Sequence, residues 1–167
     1  MEVLLHGNPV NTVGDVPQIG EKAPDFNLTN SDLTDIKLSQ FQGKRVILNI
    51  FPSLDTGTCA LSVKRFNQEA ARLDNTVVLC ISKDLPFAQK RFCGAEGIDK
   101  VMTLSEYKDK NFSDKYKLNF KDGPLKGLFS RVVLVLDENL TIIHREQVRE
   151  ITDEPDYNAA LNALQTD

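Results

Sequence analysis

Two short, almost unbroken apolar runs, separated by one amphipathic stretch of helical length, constrain this chain more than any other feature. The runs are Val46-Ile47-Leu48-Asn49-Ile50-Phe51 and Thr76-Val77-Val78-Leu79-Cys80-Ile81. Strands that are apolar at nearly every position are buried on both faces, as in the parallel part of an α/β sheet. Between them Cys59, Val63, Phe66, Ala70 and Leu73 recur every three or four positions, with Lys64, Arg65, Gln68, Glu69 and Arg72 off that stripe. This spacing predicts a helix over 59–73. Strand, helix, strand in that order implies a right-handed parallel crossover.

A cysteine heads the helical stripe. Pro52 ends the first strand, and Asp55 and Thr56 are N-cap residue types, so the first turn is expected close to Cys59, where unpaired N–H groups make a site for an anion. An ordinary thiol, with a pKa near ~8.5, is only a few per cent thiolate at neutral pH. Bringing such a group to ~6 takes on the order of 3 kcal/mol, whereas a helix N-terminus supplies about 0.3–1 and at best ~2. A reactive thiolate here therefore requires a cationic side chain from elsewhere. On the pattern alone, a lone cysteine on an apolar helix face is more often an inert core residue than a nucleophile.

The rest of the chain extends the same architecture. Val3-Leu4-Leu5 and Val10-Asn11-Thr12-Val13 flank Gly7-Asn8-Pro9, a pattern that suits either a short hairpin within residues 1–15 or an unpaired arm. Phe26-Asn27-Leu28 and Ile36-Lys37-Leu38 alternate as short strands. Ser82-Lys83-Asp84 is expected to cap a second helix, with Pro86 in its first turn, Cys93 at its end and Gly94 and Gly97 stopping it. A strand over 101–104, a helix over 111–116, a loop over 119–130 and a hairpin of 131–136 with 141–148 follow. Thr152-Asp153-Glu154-Pro155 then opens a last helix whose apolar face is Tyr157, Ala160, Leu161 and Leu164. The expectation is one domain over 1–167: an α/β fold with a central mixed sheet covered by helices on both sides, the thioredoxin-like arrangement, and an N-terminal hairpin.

A hydrophobic content of 41% is enough to build a core of this size without disulfide staples. The net charge of −4, with no long block of one sign, argues against a nucleic-acid partner. Neither a basic leader nor a run of ~20 apolar residues is present, so no membrane anchor and a cytoplasmic location are expected. Three cysteines cannot all pair within the chain, and no CxxC spacing occurs. In a reducing compartment such a count points to catalysis or inert burial. With two histidines, His6 and His144, far apart, no metal site is expected.

Pro52-x-x-x-Thr56-x-x-Cys59, inside the longer string FPSLDTGTC of residues 51–59, resembles the active-site pattern of the peroxiredoxins, and in particular of the bacterial thiol peroxidase subfamily. Gly20-x-x-Ala23-Pro24-x-Phe26, Cys93 within Arg91-Phe92-Cys93-Gly94, and Arg131 at the start of a late strand extend the resemblance over nearly the whole chain. It implies an enzyme that reduces hydrogen peroxide and organic hydroperoxides without a cofactor, as an antioxidant. Cys59 would be the peroxidatic thiolate that becomes a sulfenic acid, and Cys93 the resolving cysteine that closes an intramolecular redox disulfide. Thr56 would hold the thiolate and orient the peroxide, Pro52 would shield the sulfur, and Arg131 would supply the missing cation. A thioredoxin as reductant and a homodimer are implied by the resemblance alone. The sequence departs from the pattern at Thr58, where valine is more usual, and less apolar contact near the sulfur is expected there.

Away from the resemblance the same residues have plainer readings. Thr56 suits a simple helix cap, Arg131 a solvated strand end, and Cys80 an inert position within its strand. A thiol–disulfide oxidoreductase or redox sensor lacks its CxxC, and a scaffold domain leaves Thr56 and Arg131 without a reason. A hydrolase built on Cys59 and His144 has no spacing to support it.

Overall fold

The computed structural model describes residues 1–165. Its centre is a seven-stranded mixed sheet in the order β4-β3-β7-β6-β5-β8-β9. The two apolar runs form β5 (Arg45–Ile50) and β6 (Thr76–Ser82), and they pair in parallel. β7 (Met102–Ser105) adds in parallel to β6. β8 (Val132–Leu136) and β9 (Ile142–Gln147) form the expected antiparallel hairpin beside β5. β3 (Asn27–Asn30) and β4 (Asp35–Lys37) close the opposite edge.

Side chains alternate across this sheet and build two cores. Val46, Leu48 and Ile50 of β5 point into one, with Leu79, Ile81 and Leu134, under Phe112 and Tyr116 of α3 (Asn111–Tyr116). Ile47 and Phe51 point into the other, with Val78, Cys80, Val133 and Val135. This second core receives the predicted stripe Cys59, Val63 and Phe66 of α1 (Gly57–Ala70), and Tyr157, Ala160 and Leu164 from α4 (Tyr157–Ala163) and its C-cap. Phe92 and Cys93 of α2 (Pro86–Glu96) pack against the same core. Period-two alternation on strands and period-3.6 stripes on helices meet at one interface, which is why the crossover could be expected from pattern alone.

The N-terminal segment is a paired hairpin, β1 (Glu2–Leu5) with β2 (Asn8–Asn11). Val3 and Val10 cover a third small core with Phe120 and Ile151. Ile151 N donates to Leu4 O (2.9 Å) and Leu4 N to Arg149 O (2.7 Å), so the hairpin is bonded to the segment following β9. Among the described residues no helix is long and apolar enough to cross a membrane.

Four boundary expectations change. Ser82 ends β6, and the Asp84 carboxylate is occupied elsewhere, so neither caps α2. That helix starts at Pro86, preceded by Leu85 as N-cap, because proline's fixed φ and missing N–H suit a first helical position. Gly94 lies within α2, and Gly97 alone ends it, at φ 67° in the left-handed region that glycine adopts without strain. The last helix begins at Tyr157, after the Asp156 side chain accepts from Ala159 N at 3.0 Å, not at 152–155. α1 begins two residues earlier than expected.

Candidate active site

The turn from β5 into α1 is braced from below. Phe51 and Pro52 are buried, and the Asp84 carboxylate accepts from Ser53 Oγ (2.8 Å), Leu54 N (2.8 Å) and Ser82 Oγ (2.6 Å). One carboxylate thus fixes the loop before α1 to the end of β6. Nothing in the sequence separated this role from a helix cap, since both use an Asp after a strand.

Thr56 is the N-cap of α1 by backbone position, with φ −99° and ψ 144°. Its hydroxyl does not cap the helix but donates to Ser53 O at 3.2 Å. In this geometry it bonds the turn and not the sulfur, although Thr56 and Pro52 both line the adjoining cavity. Cys59 sits in the first turn with 0% exposure, and its carbonyl accepts from Ser62 Oγ at 2.8 Å.

Arg131 is not a solvated strand end. It is 1% exposed, and its Nη2 lies 3.4 Å from Cys59 Sγ. Its Nε and Nη2 also donate to Ile151 O at 3.0 and 2.9 Å. The third nitrogen, Nη1, is buried without a protein partner. Burying a guanidinium is costly unless its donors are used. One backbone carbonyl and one sulfur take two of its nitrogens and Nη1 is left over, in a residue that borders a cavity of about 470 Å³.

That cavity is bordered by Pro52, Thr56, Thr58 and Arg131 on the helix side. Leu5, Pro124, Leu125 and Ile151 give its remaining wall an apolar character. The hairpin and the 119–130 loop therefore contribute to the site, which periodicity could not anticipate because these contacts join distant parts of the chain.

The other cysteines differ in setting. Cys80 is fully buried in β6, and desolvation pushes its thiol up to about 12 despite a hydrogen bond from Asn49. It is a neutral core side chain at physiological pH. Cys93 is half-buried in the last turn of α2, and its thiol is raised by burial, opposed by a hydrogen bond with Thr103. Cys59 and Cys93 are both free thiols that pack in the same core. His144 lies on β9 with Nε2 buried and unpartnered. Among the described residues no three His, Cys, Asp or Glu side chains gather as metal ligands.

Thr58, the departure from the expected pattern, donates through its hydroxyl to Thr152 O at 2.9 Å.

Residues 18–161 match the family described as Redoxin. A thiol peroxidase of Corynebacterium glutamicum is 50% identical over 160 residues, 96% of each chain. The crystal structure of a peroxiredoxin-like protein from Aquifex aeolicus superposes with a TM-score of 0.93 at 34% identity, covering 98% of this chain and 95% of that one. A thiol peroxidase from Chromobacterium violaceum shares the fold, with a TM-score of 0.89 at 20% identity over 98% and 95%. Similarity on this scale, over sheet, helices and hairpin alike, means that the chain belongs to the Redoxin family, on the thioredoxin-like fold of the peroxiredoxins.

Proposed function

We propose that this protein is a thiol-dependent peroxidase in which Cys59 reduces hydrogen peroxide and organic hydroperoxides. The observation that carries the reading is the buried Arg131 guanidinium 3.4 Å from Cys59 Sγ, beside a cavity with one spare buried donor. It answers the energetic demand made by the sequence, because a helix N-terminus alone is too weak to hold a thiolate. The name of the 50% identical relative points the same way.

In this reading the thiolate attacks one peroxide oxygen, an S–O bond forms and the O–O bond breaks. Sulfur is oxidised to sulfenic acid while the peroxide is reduced to water or an alcohol, the leaving oxygen taking a proton. Arg131 Nη1 is the free donor for a peroxide oxygen, and its planar fork lets one group face sulfur and oxygen together. Pro52 presents no N–H to compete for the sulfur, and the Thr56 hydroxyl reaches the peroxide from the cavity wall. The apolar side formed by Leu5, Leu125 and Ile151 suits an alkyl group on the substrate.

Cys93 then attacks the sulfenic sulfur, water leaves, and a Cys59–Cys93 disulfide forms. Returning it to two thiols takes two electrons and two protons from an external dithiol, for which a thioredoxin is the proposed donor. A homodimer in the cytoplasm completes the reading. Leu61, Leu85 and Phe87, at 51%, 51% and 65% exposure, are apolar side chains available to such an interface.

Peroxide turnover with a thioredoxin system tests the assignment. Cys59→Ser is expected to consume no peroxide, Cys93→Ser to complete one turnover and stop as a sulfenic acid, and Cys80→Ser to cycle at a near-normal rate. Full turnover by Cys59→Ser would overturn it.

A further inference from the structure

Arg131 owes its placement to one backbone carbonyl, that of Ile151, which accepts from both Nε and Nη2. The question is what holds that carbonyl in register with the sulfur. On one side, the Glu150 carboxylate accepts from His6 N (3.2 Å), Gly7 N (2.8 Å) and Thr152 N (3.2 Å), tying the strap 150–152 to the hairpin turn. On the other side, Thr152 O accepts from Thr58 Oγ1 at 2.9 Å. Among the described residues this is the one hydrogen bond between the strap and the first turn of α1.

These contacts close a circuit: Cys59 to Thr58 through the chain, Thr58 to Thr152, Thr152 to Ile151, Ile151 to Arg131, and Arg131 back to Cys59. We propose that Thr58 is a positioning residue, whose hydroxyl ties the strap carrying the Ile151 carbonyl to α1 and so keeps the Arg131 guanidinium on the Cys59 sulfur. The inference rests on the peroxidase reading only for its consequence in turnover. A valine at this position would fill the same space but leave Thr152 O to water, and the strap would be fixed to the hairpin without being fixed to the helix that carries the sulfur. Thr58 and Thr152 belong to neither main core, so losing the bond between them leaves the packing of both intact.

The test compares the full chain with Thr58→Val and Thr58→Ser, following iodoacetamide labelling of Cys59 by mass spectrometry at pH 6 and pH 10 in the reduced protein, alongside peroxide kcat/KM. One partly exposed hydrogen bond lost should slow labelling at pH 6 by about two- to tenfold in Thr58→Val. Labelling at pH 10, above the ordinary range of a free thiol, should stay within about twofold. kcat/KM should fall by a similar factor to the pH 6 rate, and Thr58→Ser should restore both. Unchanged labelling at pH 6, equal loss at both pH values, or no rescue by serine overturns the proposal. The labelling ratio is independent of turnover. Peroxide consumption by Cys59→Ser would remove the peroxidase reading while leaving the latch to be judged on labelling alone.

Discussion

At the scale of the residue, the site depends on which groups face Cys59. Arg131 is buried with two nitrogens on Ile151 O and one of them also near the sulfur, so its charge is not screened by solvent as a surface arginine's would be. Replacing it by glutamine keeps much of the volume and removes the cation. On the proposed mechanism the rate of peroxide reaction with Cys59 should fall about 10- to 100-fold, the worth of one charge-assisted hydrogen bond of roughly 1.5–3 kcal/mol. Stopped-flow measurement of the first turnover reads this directly, and a rate within twofold of wild type removes Arg131 from its role. Lysine should not restore the rate, because a point charge cannot hold Ile151 O and face the sulfur with one planar fork. Cys80 illustrates the opposite environment. It shares a core with Cys59, yet desolvation outweighs its hydrogen bond and keeps it protonated.

At the scale of the element, the N-terminal hairpin is held by two carboxylates. Glu150 takes amides at its turn, and Asp122 takes Asn11 N at 2.7 Å and Asn11 Nδ2 at 3.0 Å at its far end. These hydrogen bonds hold both carboxyls below their ordinary values of 4.5 and 3.8, the Gly7 amide acting most strongly on Glu150 and the Asn11 amide on Asp122. A lowered acid stabilises the folded state above its unfolded value and loses that contribution as pH falls through its folded value. The hairpin should therefore loosen selectively below about pH 4, while the sheet persists. Hydrogen exchange at Gly7 and Asn11, corrected for intrinsic rates, should show protection falling there before it falls at β5. Loss of protection in both elements at one pH would refute it. Because Leu5 lines the cavity and the Ile151 amide bonds to Leu4 O, the hairpin is part of the site's wall. The sequence left it open between hairpin and arm, since a strand of four residues carries too little pattern to fix its partner.

At the scale of the whole molecule, the proposed disulfide joins two helix ends that pack on one core. Cys59 is fully buried in the first turn of α1, Cys93 lies in the last turn of α2, and both are free thiols. A disulfide needs Cα atoms within about 7 Å, and Cys93, raised by burial, becomes a better nucleophile once that turn opens. Oxidation should unwind one or both ends, seen as faster amide exchange over 57–60 and 93–98 with β5 and β6 unchanged. Equal protection in the two redox states would sink this expectation. The sequence by itself determined the parallel crossover, the mixed sheet, the inert place of Cys80 in its strand and the helix over 111–116, because periodic burial is a local pattern repeated over many residues. It also marked Arg131 through family resemblance, and demanded a cation on energetic grounds. Only the tertiary structure decided that Asp84 braces the turn, that the Thr56 hydroxyl bonds Ser53 O, and that Thr58 and Ile151 complete the setting of Arg131. Those are single hydrogen bonds between segments far apart in the chain, and no repeat or spacing in one segment carries information about which carbonyl of another will come to face it.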